Sequence, residues 1–356
     1  MRALALLFTL LVSACSGDAS QTSPNPTPQN PTTQNPSGLP PTTPKISPPL
    51  QPGGLESVDM GSLAKPDSPA GQKLALGTML FFDPRLSASG TMSCSTCHLP
   101  ELAWTDGKKL STKDDGSLNK RHTPTLVNCG YCENLYWDGR APSMEKNVVA
   151  AWKNQMGADP TKVAGVLAAI PTYASLFQKA FGRSPDEETI GMALAAFARM
   201  PRGINSAFDR WQNGDEKAVD ADVRAGYDLF LGKAGCAVCH APPLFTDKVF
   251  HNTGIGMDAA EPDKGRGAHL KDPTLDGYFK TPSLRDVAKT APYFHDGSIA
   301  TLEDAVRFMA SGGRANPTRS PELMDRKLSE VEIQALVAFL KSLSSEVTFT
   351  APTLPQ

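Results

Sequence analysis

Apolar side chains in most of this chain recur at three- and four-residue spacing. Ile190, Leu194 and Phe197 share one helical face. Ahead of them Ser184-Pro185 offers a capping hydroxyl and a first-turn proline, Glu187 follows Ser184 by three residues, and Pro201 ends the run. The spacing predicts a helix between those marks. Ser329 with Glu332 repeats the capping pattern before Ile333, Leu336, Val337 and Leu340, and Leu302, Val306 and Met309 form a further stripe. On periodicity alone Met309 is a core residue. After Gly54 no convincing period-two run of useful length occurs. Loops rich in Gly, Pro and Asp separate the helical stretches, and Gly254 to Gly277 is long enough that it is expected to cover something. The two halves echo one another, each with a loop-rich middle and an amphipathic helix near its end. The expected architecture is mostly α, with similar domains over 54–215 and 216–350 that meet in the polar stretch Asn213 to Asp222.

The beginning of the chain follows other rules. Arg2 precedes an apolar run from Ala3 to Val12, too short to span a membrane permanently, and Val12-Ser13-Ala14-Cys15 follows at once. This reads as an export signal over 1–15 whose end resembles the bacterial lipobox, with Cys15 acylated to become the mature N-terminus. An ordinary signal peptide that happens to contain Cys is the plainer alternative. Residues 16–53 hold eleven of the 31 prolines and almost no aliphatic or aromatic side chains, so they cannot offset the entropy of ordering. They are expected to form a disordered tether, reaching roughly 30 Å as a random coil and roughly 120 Å as polyproline II. The chain is expected to face the periplasm, touching the membrane only through its lipid anchor.

Composition narrows the field without naming a function. The 356 residues are 40% apolar, enough for a folded core, and 35 basic against 37 acidic side chains leave a formal charge of −2. Such a balance gives no field to draw a polyanion, so nucleic acid is not an expected partner. Seven cysteines form the pairs Cys94/Cys97, Cys129/Cys132 and Cys236/Cys239, leaving Cys15 alone.

Two of those pairs carry the chemistry. Cys94-Ser95-Thr96-Cys97-His98 and Cys236-Ala237-Val238-Cys239-His240 each place two thiols on one side of a turn with a histidine beside them. Both thiols can then add to the vinyl groups of one haem while the histidine reaches its iron. Zinc needs four ligands and each motif supplies three; a redox disulfide suits a cytosolic setting better. The motifs therefore predict two covalently bound haem c groups, in two cytochrome c-like domains in tandem joined by long loops. Each histidine should bind as neutral imidazole, its other ring nitrogen donating to a carbonyl. Cys129-Gly130-Tyr131-Cys132 is followed by Glu133, so it is no third haem site; a local disulfide is the plain expectation in an oxidising compartment.

Further segments extend the pattern from about Leu74 to Leu343. They are Leu80-Phe81-Phe82-Asp83-Pro84-Arg85-Leu86-Ser87, Thr123-Pro124-Thr125-Leu126, Trp137-Asp138-Gly139-Arg140, Lys280-Thr281-Pro282-Ser283-Leu284-Arg285 and Pro292-Tyr293-Phe294-His295-Asp296-Gly297. In this order they resemble the bacterial di-haem cytochrome c peroxidases and their MauG-type relatives. The resemblance implies that hydrogen peroxide is reduced at the N-terminal haem, with electrons from a small c-type cytochrome or cupredoxin entering at the C-terminal one. It makes Trp137 the inter-haem residue and Met309 the distal ligand of the second haem, where MauG-type members place a tyrosine. The family's Gln, Pro and Glu of the peroxide site correspond to Asn147, Ala151 and Gln155. A carboxylate can relay a proton between the peroxide oxygens and an amide cannot, so Glu145, Asp159 or a water would have to substitute. No histidine lies between His98 and His122 to cap the first haem. His122 stands where the family has an asparagine on an inter-domain calcium, alongside carbonyls matching Thr290 and Pro292; imidazole is a poor ligand for that ion. The rival readings are a MauG-type oxidase of a protein or small-molecule partner and a tethered di-haem electron carrier. A homodimer is among the expected partners.

Overall fold

The computed structural model describes residues 65, 67–346 and 349–356. The export signal over 1–15, Cys15 and the tether over 16–53 lie outside the described residues.

Helix α1 (Pro69–Phe82) opens on Ser68, whose hydroxyl accepts from the Gly71 N–H, with Pro69 in the first turn. After the first Cys-x-x-Cys-His come α2 (Met144–Gln155), α3 (Pro160–Ala168), α4 (Pro171–Phe181) and α5 (Glu187–Ala198). The second half brings α6 (Ala207–Gln212), α7 (Ala221–Leu231), α8 (Arg266–Leu270), α9 (Leu302–Ala310) and α10 (Glu330–Ser342). Among the described residues the only strands are two-residue pieces, β1 (Phe250–His251) and β2 (Phe279–Lys280), paired antiparallel. The mostly α expectation holds.

The expected cap of α10 is present: Ser329 accepts from the Glu332 N–H while the Glu332 carboxylate accepts from the Ser329 N–H. The cap of α5 is not the expected Ser184. Asp186 accepts from the Thr189 N–H at 2.8 Å and the Thr189 hydroxyl accepts from the Asp186 N–H, so the box closes two residues later on Asp and Thr.

Each half buries its own aromatic core around one helix crossing. In the first, α1 meets α5 so closely that a Cβ on Gly77 would overlap the Ala193 carbonyl; Leu80, Phe81, Trp104 and Phe197 pack beside it. In the second, α7 meets α10 with Gly226 against the Ala335 carbonyl, amid Phe208, Phe230, Phe245 and Phe339. The stretch Gly254 to Gly277 is partly structured by α8 and covers the Trp137–Arg140 segment. Arg121 bridges Asp138 and Asp263 at 2.8 and 2.6 Å, and Arg266 reaches the Asp138 carbonyl at 3.3 Å.

Candidate active site

The first haem motif folds as a tight turn, Cys94–Thr96, with the His98 N–H donating to the Cys94 carbonyl at 3.1 Å. His98 Nδ1 donates to the Trp104 carbonyl at 2.8 Å, which fixes the tautomer and leaves the Nε2 lone pair for a metal. Burial pushes the His98 pKa down against that bond, so the ring is neutral. Burial likewise pushes the Cys94 thiol up to about 12. A cavity of about 70 Å³ faces Cys94, Cys97 and His98. Its other wall is α2, which presents Asn147, Ala151 and Gln155 on successive turns. Those three residues are the ones singled out in the sequence.

Residues without a signal in the sequence join them. Met144, Trp152 and Met156 line the same cavity, with Trp152 Nε1–H on the Leu86 carbonyl at 2.7 Å and Met156 Sδ at 3.9 Å from Cys94 Sγ. The apolar spacing of Met144 and Trp152 on α2, and of Met156 at its C-terminal cap, is indistinguishable from ordinary core. The carboxylates expected to replace the family's glutamate are engaged elsewhere. Glu145 pairs with Arg199 at 2.7 Å, and Asp159 caps α3 through the Thr161 and Lys162 N–H groups; neither lines the cavity.

The second motif repeats the geometry. The turn Cys236–Val238 brings both thiols beside His240, whose Nδ1 donates to the Phe245 carbonyl at 2.9 Å. Burial lowers the His240 pKa here too. The cavity is larger, about 240 Å³, and Leu302, Val306 and Met309 of α9 line it together with Cys236, Cys239 and His240. The helical stripe read as core is thus a cavity wall. Trp137 also meets this cavity; its Nε1–H donates to the His122 carbonyl at 2.9 Å and its carbonyl accepts from the Lys280 N–H at 2.8 Å. The first cavity's lining does not include it. His251, which no sequence motif singles out, lines the second cavity and bonds Asp247 at 2.9 Å. Ligand atoms of Cys239, Asp247 and His251 lie within 4.8 Å of one another. Since Cys239 belongs to the haem motif, this trio is part of that pocket.

His122 is buried, with Nδ1 donating to the Lys108 carbonyl at 2.8 Å and its N–H donating to the His295 carbonyl at 2.7 Å. Thr290 donates its hydroxyl to the Val287 carbonyl at 3.0 Å, and Pro292 follows on the same loop. The expected disulfide between Cys129 and Cys132 is absent: both are free thiols. The turn Cys129–Tyr131 aims Cys129 Sγ at the Ala198 carbonyl of α5, 3.0 Å away, whereas Cys132 Sγ faces the Asn128 carbonyl.

The residues present fit covalent haem in both pockets. Each offers two thiols on one turn and a neutral imidazole with its Nε2 lone pair unspent, facing a cavity that is mostly apolar. Cys94, Cys97 and His98 would hold one group, and Cys236, Cys239 and His240 the other.

Comparison with known proteins agrees. A family model for di-haem cytochrome c peroxidase matches residues 71–217, and one for cytochrome c matches 223–344. A methylamine utilization protein MauG from Methylorubrum extorquens is 42% identical over 295 residues, covering 80% of this chain and 82% of its own. The cytochrome-c peroxidase IdrP1 of Denitromonas iodatirespirans is 36% identical over 307 residues, covering 76% and 81%. Among solved structures, a MauG-like protein associated with microbial copper homeostasis superposes with a TM-score of 0.72 at 30% identity, covering 87% of this chain and 96% of its own. Relatives of both names match over three quarters or more of the chain, and the chain belongs to the di-haem cytochrome c peroxidase and MauG family, whose cytochrome c domains imply two haem c groups.

Proposed function

We propose that the chain reduces hydrogen peroxide to water at the Cys94/Cys97/His98 pocket, with electrons from a small c-type cytochrome or cupredoxin entering at the Cys236/Cys239/His240 pocket. The observation that carries this reading is Met309, which shares the second cavity with His240 from a separate element, α9. A histidine and thioether pair favours reduced iron and suits an electron acceptor, whereas a tyrosine would favour the oxidised state. When bound, the haem irons supply the redox chemistry, with peroxide at the first and electron entry at the second. The chain's own groups do the rest. The Trp104 and Phe245 carbonyls orient the two ligand histidines, and His122 fixes the Trp137 indole at the edge of the second cavity. Peroxide reduction consumes two electrons and two protons for two waters. Gln155 can donate an amide hydrogen bond to the leaving oxygen but cannot carry a proton, so a water beside Asn147 and Gln155 is the proposed relay.

A MauG-type oxidase of a protein or small-molecule partner is the second reading. It is favoured by the 42% identity to a protein of that name and by the amide in the peroxide cavity. A di-haem electron carrier is the third. Calcium is left out of the proposal, because His122 turns Nδ1 to the Lys108 carbonyl and a nitrogen donor suits calcium poorly. Export with acylation of Cys15 completes the reading, supported by the Val12–Cys15 pattern and the thiol it leaves without a partner motif.

The test is peroxide-dependent oxidation of a reduced small cytochrome c by the haem-loaded protein, beside Gln155→Glu. Turnover well above free haem in the native chain supports a peroxidase. Turnover gained only in Gln155→Glu, by roughly the 100-fold or more that a positioned acid–base group contributes, would instead favour the oxidase or carrier.

A further inference from the structure

The two ligand histidines are held by the same device, a carbonyl on a residue with left-handed backbone, and the residues that supply it differ in one chemical respect. Trp104 (φ 62°) holds His98, and Phe245 (φ 55°) holds His240. An indole gives up one electron far more readily than a phenyl ring. Trp104 is therefore an oxidisable side chain fastened through its own carbonyl to the imidazole of the first pocket, with no counterpart in the second.

Its surroundings lead outward. The ring is 2% exposed and packs edge-on against Phe81, Phe197 and Phe349, at centroid distances of 5.9, 5.6 and 5.3 Å. Phe81 in turn lies 6.4 Å from the His98 ring. Phe349 belongs to the C-terminal segment 349–356, which runs over the first half with residues between half-buried and exposed, and is held there by Arg85 on the Pro355 carbonyl at 2.7 Å. One thin strip of chain thus separates the indole from solvent. Trp152, the indole that lines the first cavity itself, sits on the α2 side with its N–H on Leu86 and no bond to the ligand histidine, whereas Trp104 lies behind His98 and outside the cavity lining.

We infer that Trp104 is a one-electron relay between the first haem pocket and the surface beneath residues 349–356. The inference rests on peroxide being reduced at that pocket. Of the two electrons that convert hydrogen peroxide and two protons to two waters, one comes from the Trp104 indole, which is left as a radical cation with its N–H proton retained, and the other would come from the haem held by Cys94, Cys97 and His98. A reduced one-electron donor of the small redox-protein class, docked over the C-terminal segment, returns that electron. This gives the first pocket a route to an outside donor that does not pass through Met309 and Trp137.

The experiment is a pulse of peroxide on the full-length, haem-loaded protein without donor. It is read by electron paramagnetic resonance and by mass spectrometry of the haem peptide that contains Trp104, in native protein and in Trp104→Phe. The expected result is an organic radical in the native protein that is largely lost in Trp104→Phe, with oxygen adducts on Trp104. The absorption spectrum of the first haem should be unchanged by the substitution, since the carbonyl to His98 is kept. Peroxide consumed with adducts only on Trp137 or Trp152, or with an undiminished radical in Trp104→Phe, overturns the relay and leaves the peroxide reading standing. Because the native protein alone reports adducts, the result does not depend on the variant folding. Peroxide left unconsumed overturns both.

Discussion

In the first half α1 crosses α5 with Gly77 against a backbone carbonyl, and a turn then delivers His98 to a carbonyl on Trp104. In the second half α7 crosses α10 with Gly226 against a backbone carbonyl, and a turn delivers His240 to a carbonyl on Phe245. Helix crossing, thiol pair and histidine tether are common to both. What differs is the wall facing the histidine: Asn147, Ala151 and Gln155 of α2 in one, Met309 of α9 in the other. The shared parts are those that any covalently held haem requires. The parts that differ sit on separately inserted helices, so ligand chemistry is free to vary without disturbing the core.

The strongest way to break the comparison is at the crossings. Gly77→Ala and Gly226→Ala each put a methyl into a backbone carbonyl that has no room to move. Each should cost about 3 kcal/mol, at the upper end of overpacking, and lower the melting temperature by roughly 5 °C in calorimetry. A loss under about 1 kcal/mol at one position but not at the other would show that the two crossings are not equivalent.

Met309→His should come next in size. If Met309 ligates the second iron, replacing a thioether by imidazole lowers that midpoint potential by on the order of 100 mV, a modest part of the ~0.8 V span that axial ligands command. The first midpoint should stay in place, because its cavity is built by α2. Spectroelectrochemistry separates the two; an unmoved second potential would remove Met309 from the iron and the main support for a peroxidase over a MauG-type oxidase.

Much of this plan was legible in the sequence, and the boundary of legibility has a physical cause. Thiol spacing, the Ser329/Glu332 cap and the α9 stripe are local, encoded within four residues of one another. The start of α5 is not legible in the same way, because Ser184-Pro185 and Asp186 are both good caps, and only the reciprocal Thr189 hydroxyl decides for Asp186. Asn147 and Gln155 are legible only through the resemblance, and Met144, Trp152, Met156 and His251 carry no local mark at all, since nothing local distinguishes a cavity-lining residue from a core one. The roles of Gly77, Gly226 and Trp104 depend on what approaches them in three dimensions, which no spacing reports.

A smaller effect sharpens the first half alone. Tyr173 donates to buried Asp83 at 2.5 Å, and Arg85 pairs with the same carboxylate at 2.7 Å. Burial would raise the Asp83 pKa, but the Arg85 and Tyr173 hydrogen bonds outweigh it and hold the group below its usual range. A depressed carboxylate stabilises the fold above its unfolded pKa of about 4 and ceases to do so as pH falls through the lower folded value. Tyr173→Phe should therefore cost about 2 kcal/mol at neutral pH, and the two proteins should converge in stability in strong acid. A loss that is the same at pH 7 and pH 2, by denaturant titration, would mean the phenol acts by packing and not through Asp83.

The smallest effect concerns the one cysteine pair outside the haem motifs, again a feature of the first half only. With four cysteines consumed as thioethers in the haem-loaded protein, Cys129 and Cys132 are the remaining thiols among the described residues. Cys129 is buried against the Ala198 carbonyl, and burial pushes its thiol up to about 12, so almost no thiolate is present near neutrality. Cys132 is half-buried at the end of the same turn. Alkylation should modify Cys132 first and reach Cys129 only slowly or after unfolding, without loss of either haem. Peptide mapping under native conditions checks this: equal rates at both positions would place Cys129 at the surface, and no reaction at either until a reductant is added would show that the pair closes as a disulfide.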